Sequence, residues 1–149
     1  MNKLNRIIII IILLTSVTVL KLRYNTVNRV IDGDTYIINN TKVRLFGVDA
    51  PELKQEFGLE AKEFVEHLIL HKRVLVVLKS KDRYNRQVAE IYINGSNLAY
   101  ILLENGMVWN YYQFSKSNLM ESKQQFAKYN KIGLWKYDAI NPKEFRRKH

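Results

Sequence analysis

The sequence predicts an α+β domain in which a five-stranded β-barrel is combined with about three helices. Short alternating or β-branched segments crowd the first two thirds of the chain, one helical pattern interrupts them, and helical patterns follow. Five short strands with a helix between the third and the fourth fit a Greek-key barrel of the OB-fold type. We find no internal repeat and no linker composition, so residues 25–140 are predicted to form one domain.

The first three strands are predicted at residues 26–31, 35–38 and 42–48. Asp32-Gly33-Asp34 forms a turn signal between the first two strands. Asn39-Asn40 suits a tight hairpin, because asparagine tolerates a positive φ. Ala50-Pro51 ends the third strand, since proline cannot extend it.

A helix is predicted over residues 57–70, where apolar side chains recur at helical spacing. Strands four and five follow at 73–79 and 87–93, separated by the charged turn 81–85. Ser96 is predicted to cap a helix that ends at Glu104, and Asn118 to cap a helix that ends at Asn130. Residues 141–149 form a basic C-terminal tail, whose last five residues are predicted to be frayed.

The chain is strongly basic, with 24 Lys and Arg against 14 Asp and Glu and a net charge of +10. Four of the basic residues lie in the first 24 positions, so the remainder still carries 20 basic against 14 acidic side chains. A basic domain favours polyanions such as nucleic acids, although charge alone is equally compatible with solubility. The absence of cysteine excludes disulfides, thiolate metal sites and a cysteine nucleophile.

Residues 1–24 are predicted to be a signal peptide or an N-terminal membrane anchor. A short basic segment is followed by an apolar run from Ile7 to Leu20, and Lys21 and Arg23 end it. The run is short for a membrane span, and no good small-residue cleavage site follows it. We therefore expect a protein that is secreted or membrane-anchored, with its folded part outside the cytoplasm.

Five polar residues near strand ends suggest phosphodiester chemistry. Asp34 and Asp49 come from different segments and could hold a hard cation, although either alone could be a turn former. Glu52 follows a proline that fixes the local backbone, which suits a general base. Arg44 and Arg86 suit phosphate oxygens, with a plain surface charge as the alternative for Arg86.

These residues make the chain resemble the staphylococcal nuclease (thermonuclease) family over nearly all of residues 26–136. The resemblance is carried by Ile31-Asp32-Gly33-Asp34-Thr35, Arg44 with Val48-Asp49-Ala50-Pro51-Glu52, Asp82-Arg83-Tyr84-Asn85-Arg86, and Asn105-Gly106 before an aromatic cluster. It implies an OB-fold barrel and a Ca²⁺-dependent endonuclease. It also implies cleavage of DNA and possibly RNA with little sequence preference, leaving 3′-phosphates.

The resemblance further implies a role for each matching position. Ca²⁺ would be bound by Asp34, Asp49 and the Ala50 carbonyl, and the catalytic residues would be Arg44, Glu52 and Arg86. Substrate would contact Arg83, Tyr84, Tyr112 and Phe114. The chain departs from the family at three points: Arg83 stands where a lysine is familiar, Asn85 replaces a glycine, and Phe114 lacks a hydroxyl group.

Two alternatives remain open at this stage. A catalytically inactive nucleic-acid-binding module of the same fold would lack one of the catalytic residue types, and none is missing here. A membrane-anchored barrel that binds a protein or a small ligand would leave Arg44 in an apolar strand without a purpose. The expected partners are DNA and RNA, together with a membrane if the N-terminal segment is retained, and we expect a monomer.

Overall fold

A computed structural model of the chain describes residues 4–5, 7–8 and 24–148. The predicted signal peptide or anchor therefore lies almost entirely outside the described residues. The predicted barrel is confirmed: five strands form it, and three two-residue strands accompany them. The barrel strands are β1 (Tyr24–Val30), β2 (Thr35–Ile38), β3 (Thr41–Leu45), β5 (Arg73–Lys81) and β6 (Gln87–Ile93), and the short ones are β4 (Val48–Asp49), β7 (Ser96–Asn97) and β8 (Trp109–Asn110).

The barrel closes through a parallel pairing of β3 with β6. The antiparallel order runs β3-β2-β1-β5-β6, and the register of the closing pair places Arg44 opposite Val88. Arg86 immediately precedes β6, so closure brings the end of β3 and the β5–β6 turn to the same rim. This pairing joins the two parts of the chain that carry the predicted site.

The turn predicted at Asn39-Asn40 and the turn predicted over residues 81–85 both connect antiparallel strands. Asn39 and Asn40 have φ values of 45° and 62°, as expected for a tight β2–β3 connection. Asn85 has a φ of 60°, so an asparagine takes the left-handed conformation that glycine would otherwise provide. The departure from the family at Asn85 therefore leaves the β5–β6 turn intact.

Within residues 24–148, five helices accompany the barrel. They are α1 (Gly58–Ile69), α2 (Leu98–Glu104), α3 (Tyr112–Ser115), α4 (Asn118–Tyr129) and α5 (Pro142–Lys148). The predicted caps are wrong by one residue: Asn97 caps α2, and Ser117 caps α4, each by accepting a hydrogen bond from a backbone N–H. The prediction of a frayed tail is also wrong, because α5 continues to Lys148.

The core lies inside the barrel and beneath α1. Ala61, Val65 and Ile69 form the buried face of α1, as the periodicity predicts. The barrel supplies Val27, Val30, Tyr36, Ile38, Val43, Leu45, Val74, Ala89, Ile91 and Ile93. Trp109 is also buried, and its ring packs edge-on at 5.3 Å from that of Trp135.

None of the helices in the described part of the chain is long and apolar enough to cross a membrane.

Gly33 lets the β1–β2 turn approach the segment after β4 very closely. A Cβ at position 33 would lie 2.7 Å from the Ala50 Cβ and 3.2 Å from the Ala61 Cβ. We expect Gly33→Ala to lower the free energy of unfolding by about 1–3 kcal/mol, the usual cost of overpacking. Urea unfolding of the full chain measures this. The double variant Gly33→Ala/Ala50→Gly removes the closer contact and should recover part of the loss; no recovery would show that the strain lies elsewhere.

Candidate active site

An open cavity of about 700 Å³ lies at the rim where β3 meets β6. It is bounded by the β1–β2 turn, the end of β3, the turn after β4, the β5–β6 turn and α5. The predicted site residues that line it are Asp34, Arg44, Ala50, Glu52, Arg83, Tyr84, Arg86 and Phe114. Asp49 and Tyr112 do not line it; both lie at a smaller neighbouring cavity of about 250 Å³.

Asp34 is almost completely buried at the wall of the larger cavity. Its Oδ1 accepts hydrogen bonds from Arg44 Nη1 at 3.0 Å and from the Thr35 hydroxyl at 2.9 Å. Its Oδ2 accepts one from the Ala50 amide at 3.0 Å. Burial raises the pKa of Asp34 to about 7, while Arg44 and the Ala50 amide act in the opposite direction.

Arg44 joins the two buried aspartates. In addition to its bond to Asp34, Nη2 donates to Asp49 Oδ1 at 2.9 Å and to the Val48 carbonyl at 3.2 Å. Burial alone would lower the pKa of Arg44, but Asp34 and Asp49 together raise it, so the guanidinium stays charged. Arg44, although it lies in an apolar strand, therefore has two acidic partners.

Asp32 has a structural part in this arrangement. Its Oδ1 accepts a hydrogen bond from the Asp34 backbone N–H at 3.0 Å, which is an aspartate turn. Asp32 also lines the cavity beside Asp34. Its carboxylate therefore shapes the turn that presents Asp34.

Arg86 is held at the edge of the cavity by Asp82. Arg86 Nε donates to Asp82 Oδ2 at 2.7 Å, and Asp82 Oδ1 accepts from the backbone N–H groups of Tyr84 and Arg86. Burial raises the pKa of Asp82, but these hydrogen bonds outweigh it and leave the pKa below its ordinary value. Asp82 thus both forms the β5–β6 turn and fixes the direction of the Arg86 guanidinium.

Aromatic rings form the outer part of the cavity. Tyr84 is 65% exposed, and the guanidinium carbons of Arg83 and Arg86 lie 4.8 and 5.5 Å from its ring centre. Phe114 is 64% exposed, and its ring centre lies 4.7 Å from that of Tyr111. Tyr111, rather than the predicted Tyr112, lines the cavity beside Phe114.

Arg146 is a site residue that the sequence reasoning missed. From α5 it reaches into the cavity, where Nη2 donates to Asp49 Oδ2 at 2.7 Å and Nη1 donates to Glu52 Oε1 at 2.7 Å. Burial would lower the pKa of Arg146, but the bonds to Asp49 and Glu52 raise it. The only signal in the sequence is the basic run Arg146-Arg147-Lys148, which is more often a solvated helix face.

With this geometry established, comparison with known proteins identifies the family. The sequence of residues 42–137 matches the family model described as staphylococcal nuclease homologue. The chain belongs to the staphylococcal nuclease family. The matched range runs from β3 through the 3₁₀ turn Gly133–Lys136, so it contains every predicted site residue except Asp34.

Several bacterial and plant proteins are similar to this staphylococcal nuclease homologue. An uncharacterized endonuclease of Haemophilus influenzae is 35% identical over 125 residues, which cover 80% of this chain and 70% of the relative. An uncharacterized endonuclease of Escherichia coli is 32% identical over 117 residues, covering 75% of this chain and 76% of the relative. A staphylococcal-like nuclease of Arabidopsis thaliana is 32% identical over 94 residues, covering 63% of this chain but 29% of the relative.

Staphylococcal nuclease homologues are typically metal-dependent, and the donors at this site fit a hard cation. Asp34 and Asp49 converge on Arg44, and the backbone of Ala50 adjoins both carboxylates. Among the described residues, no three histidine or acidic side chains form a metal-binding group. The carboxylate oxygens of Asp34 and Asp49 are donors of the kind that hard divalent cations prefer.

Proposed function

We propose that this staphylococcal nuclease homologue is a Ca²⁺-dependent endonuclease that hydrolyses DNA and RNA with low sequence specificity. The observation that carries the proposal is the cavity that brings Asp34, Arg44, Glu52 and Arg86 together, with Asp49 ion-paired to Arg44 beside it. The endonuclease names of its bacterial relatives support the same reaction class. A location outside the cytoplasm, secreted or tethered, is part of the proposal and is supported by the sequence of residues 1–24.

Ca²⁺ held by Asp34, Asp49 and the Ala50 carbonyl would supply positive charge beside the scissile phosphate. Glu52 accepts a proton from the attacking water, which can reach it because its side chain lines the cavity and is 41% exposed. Water attacks the phosphorus, and the bond to the 5′ oxygen breaks. The departing 5′ oxygen takes up a proton from the solvent and Glu52 returns its proton to the solvent, so the products are a 3′-phosphate and a 5′-hydroxyl group.

The two arginines stabilise the negative charge that grows on the phosphate oxygens. Arg44 has five N–H donors, and its bonds to Asp34, Val48 and Asp49 account for three of them. Its remaining donors suit a phosphate oxygen. Arg86 acts from the β5–β6 turn, where Asp82 fixes its direction through Nε.

The substrate is proposed to be flexible or single-stranded nucleic acid. A nucleotide must leave the stack to place its phosphate beside Arg44 and its base among the aromatic rings of the outer cavity. Stacking on exposed rings such as Tyr84 and Phe114 accepts every base, because each base has a π-face. The hydroxyl group absent at Phe114 does not affect stacking.

The proposal predicts Ca²⁺-dependent release of acid-soluble nucleotides from heat-denatured DNA by the full chain. We expect release with Ca²⁺ and none with excess chelator, and parallel reactions with Mg²⁺ and Mn²⁺ test the choice of ion. Products with 5′-hydroxyl ends accept a kinase label without prior phosphatase treatment. Binding of DNA without release under every cation would instead support an inactive nucleic-acid-binding module, and labelling that needs phosphatase would contradict the proposed bond cleavage.

A further inference from the structure

The C-terminal helix α5 is fastened to the turn that carries Glu52. The buried Gln55 accepts a hydrogen bond from the Glu52 amide through Oε1 at 3.2 Å. Its Nε2 donates to the Ile140 carbonyl, two residues before α5 begins. Pro142, the first residue of α5, is buried. One side chain thus connects the candidate general base to the start of the last helix.

From α5, Arg146 forms ion pairs with two acidic side chains, Asp49 and Glu52. Nη2 donates to Asp49 Oδ2 at 2.7 Å, and Nη1 donates to Asp49 Oδ1 at 3.3 Å and to Glu52 Oε1 at 2.7 Å. Arg44 occupies Asp49 Oδ1 from the other side. Both oxygens of Asp49 are therefore engaged by guanidinium groups, and the side chain is 5% exposed.

The charges of the cluster make Arg146 and a divalent cation alternatives. A divalent cation bound to Asp49 would lie within a few ångströms of the Arg146 guanidinium, and the two positive charges would repel each other. Both oxygens of Asp49, which are among the donors proposed for the cation, accept hydrogen bonds from Arg146.

We propose that Arg146 is an intramolecular competitor of the divalent cation, and that α5 is a latch that holds Arg146 on Asp49 and Glu52 until the cation displaces it. The proposal rests on the cation site proposed above. Cation binding at Asp49 releases Arg146, which also frees Glu52 Oε1 for water. The latch sets the cation concentration at which the enzyme becomes active.

The first test measures the affinity of the full chain for Ca²⁺ by calorimetry, without substrate. Arg146→Gln removes contacts to two carboxylates, and charged hydrogen bonds of this kind are strong enough that we expect about tenfold tighter binding. Arg147→Gln is the matched control, because Arg147 is the adjacent residue, is exposed and does not line the cavity. Arg147→Gln removes the same charge, but it should change the affinity for Ca²⁺ by about threefold or less, since solvent screens exposed charges.

The outcomes separate the latch from the cation site. Tighter binding by Arg146→Gln alone supports the latch. Equal affinity of wild type and Arg146→Gln, or equal gains in both variants, overturns the latch but leaves the proposed cation site standing. No Ca²⁺ binding by any of the three proteins overturns the proposed cation site and the latch with it. Unchanged affinity with a raised KM for DNA would identify Arg146 as a phosphate contact instead.

The second test follows α5 directly. Because the chain contains no cysteine, Lys148→Cys provides a single attachment point for a nitroxide label at the exposed end of α5. We expect saturating Ca²⁺ to increase the mobility of the label, and we expect Arg146→Gln to increase it without Ca²⁺. A label whose mobility is the same in all of these states would show that the helix stays in place and would overturn the latch.

Discussion

Glu52→Gln is expected to lower kcat by about 10²–10⁴-fold, the contribution that a positioned general base makes. The substitution keeps the size of the side chain but removes the group that can accept a proton from water. The backbone N–H of Gln55 donates to the Glu52 carbonyl at 2.8 Å. This bond does not involve the Glu52 side chain, so the turn should keep its geometry. Initial rates on denatured DNA measure kcat, and fluorescence anisotropy of labelled single-stranded DNA measures binding.

Binding should change much less than kcat, because Arg44, Arg86 and the aromatic rings are untouched. Glu56→Gln is the matched control: it is the same substitution four residues later, at an exposed position that does not line the cavity. It should retain wild-type turnover. Full activity of Glu52→Gln would show that another group activates the water, and an equal loss in both variants would point to a general effect of charge.

The local part of this site could be predicted from the sequence, and the reason is physical. Asp34, Asp49 and Glu52 lie at strand ends and turns, where short motifs fix the backbone. Placing Arg86 beside them requires the parallel β3–β6 pairing, which a count of five strands in a barrel implies but a linear motif does not. Local sequence therefore places Asp34, Asp49 and Glu52, whereas closure of the barrel places Arg86.

Two features could not be predicted, because neither depends on a local pattern. Arg146 reaches Asp49 across 97 positions, and its place is set by the Gln55–Ile140 contact rather than by the composition of the tail. Tyr111 lines the larger cavity where Tyr112 was predicted to, and the difference depends on where α3 begins. Tyr111 precedes the helix, while Tyr112 is its first residue. Shifts of one residue at short helices lie beyond what periodicity can define.

Arg44→Ala is expected to reduce both activity and stability, because the guanidinium serves the fold as well as the reaction. It neutralises Asp34 and Asp49, each about 3% exposed, and the removal of one partner from a buried ion pair typically costs about 3–5 kcal/mol. Activity should fall by about 10²–10³-fold or more through lost charge stabilisation. Urea unfolding of the full chain with and without Ca²⁺ measures the free energy of unfolding.

Arg86→Ala separates the two roles, because its ion pair with Asp82 lies nearer the surface, with side chains 21% and 18% exposed. It should lose comparable activity while the free energy of unfolding falls by about 1 kcal/mol or less. Ca²⁺ should restore part of the stability lost by Arg44→Ala, since a divalent cation binds the folded state and replaces the missing positive charge beside both aspartates. Equal destabilisation of the two variants, with no recovery by Ca²⁺, would mean that the Asp34–Asp49 pair does not depend on Arg44 for its charge balance and would remove the basis for placing a cation between them.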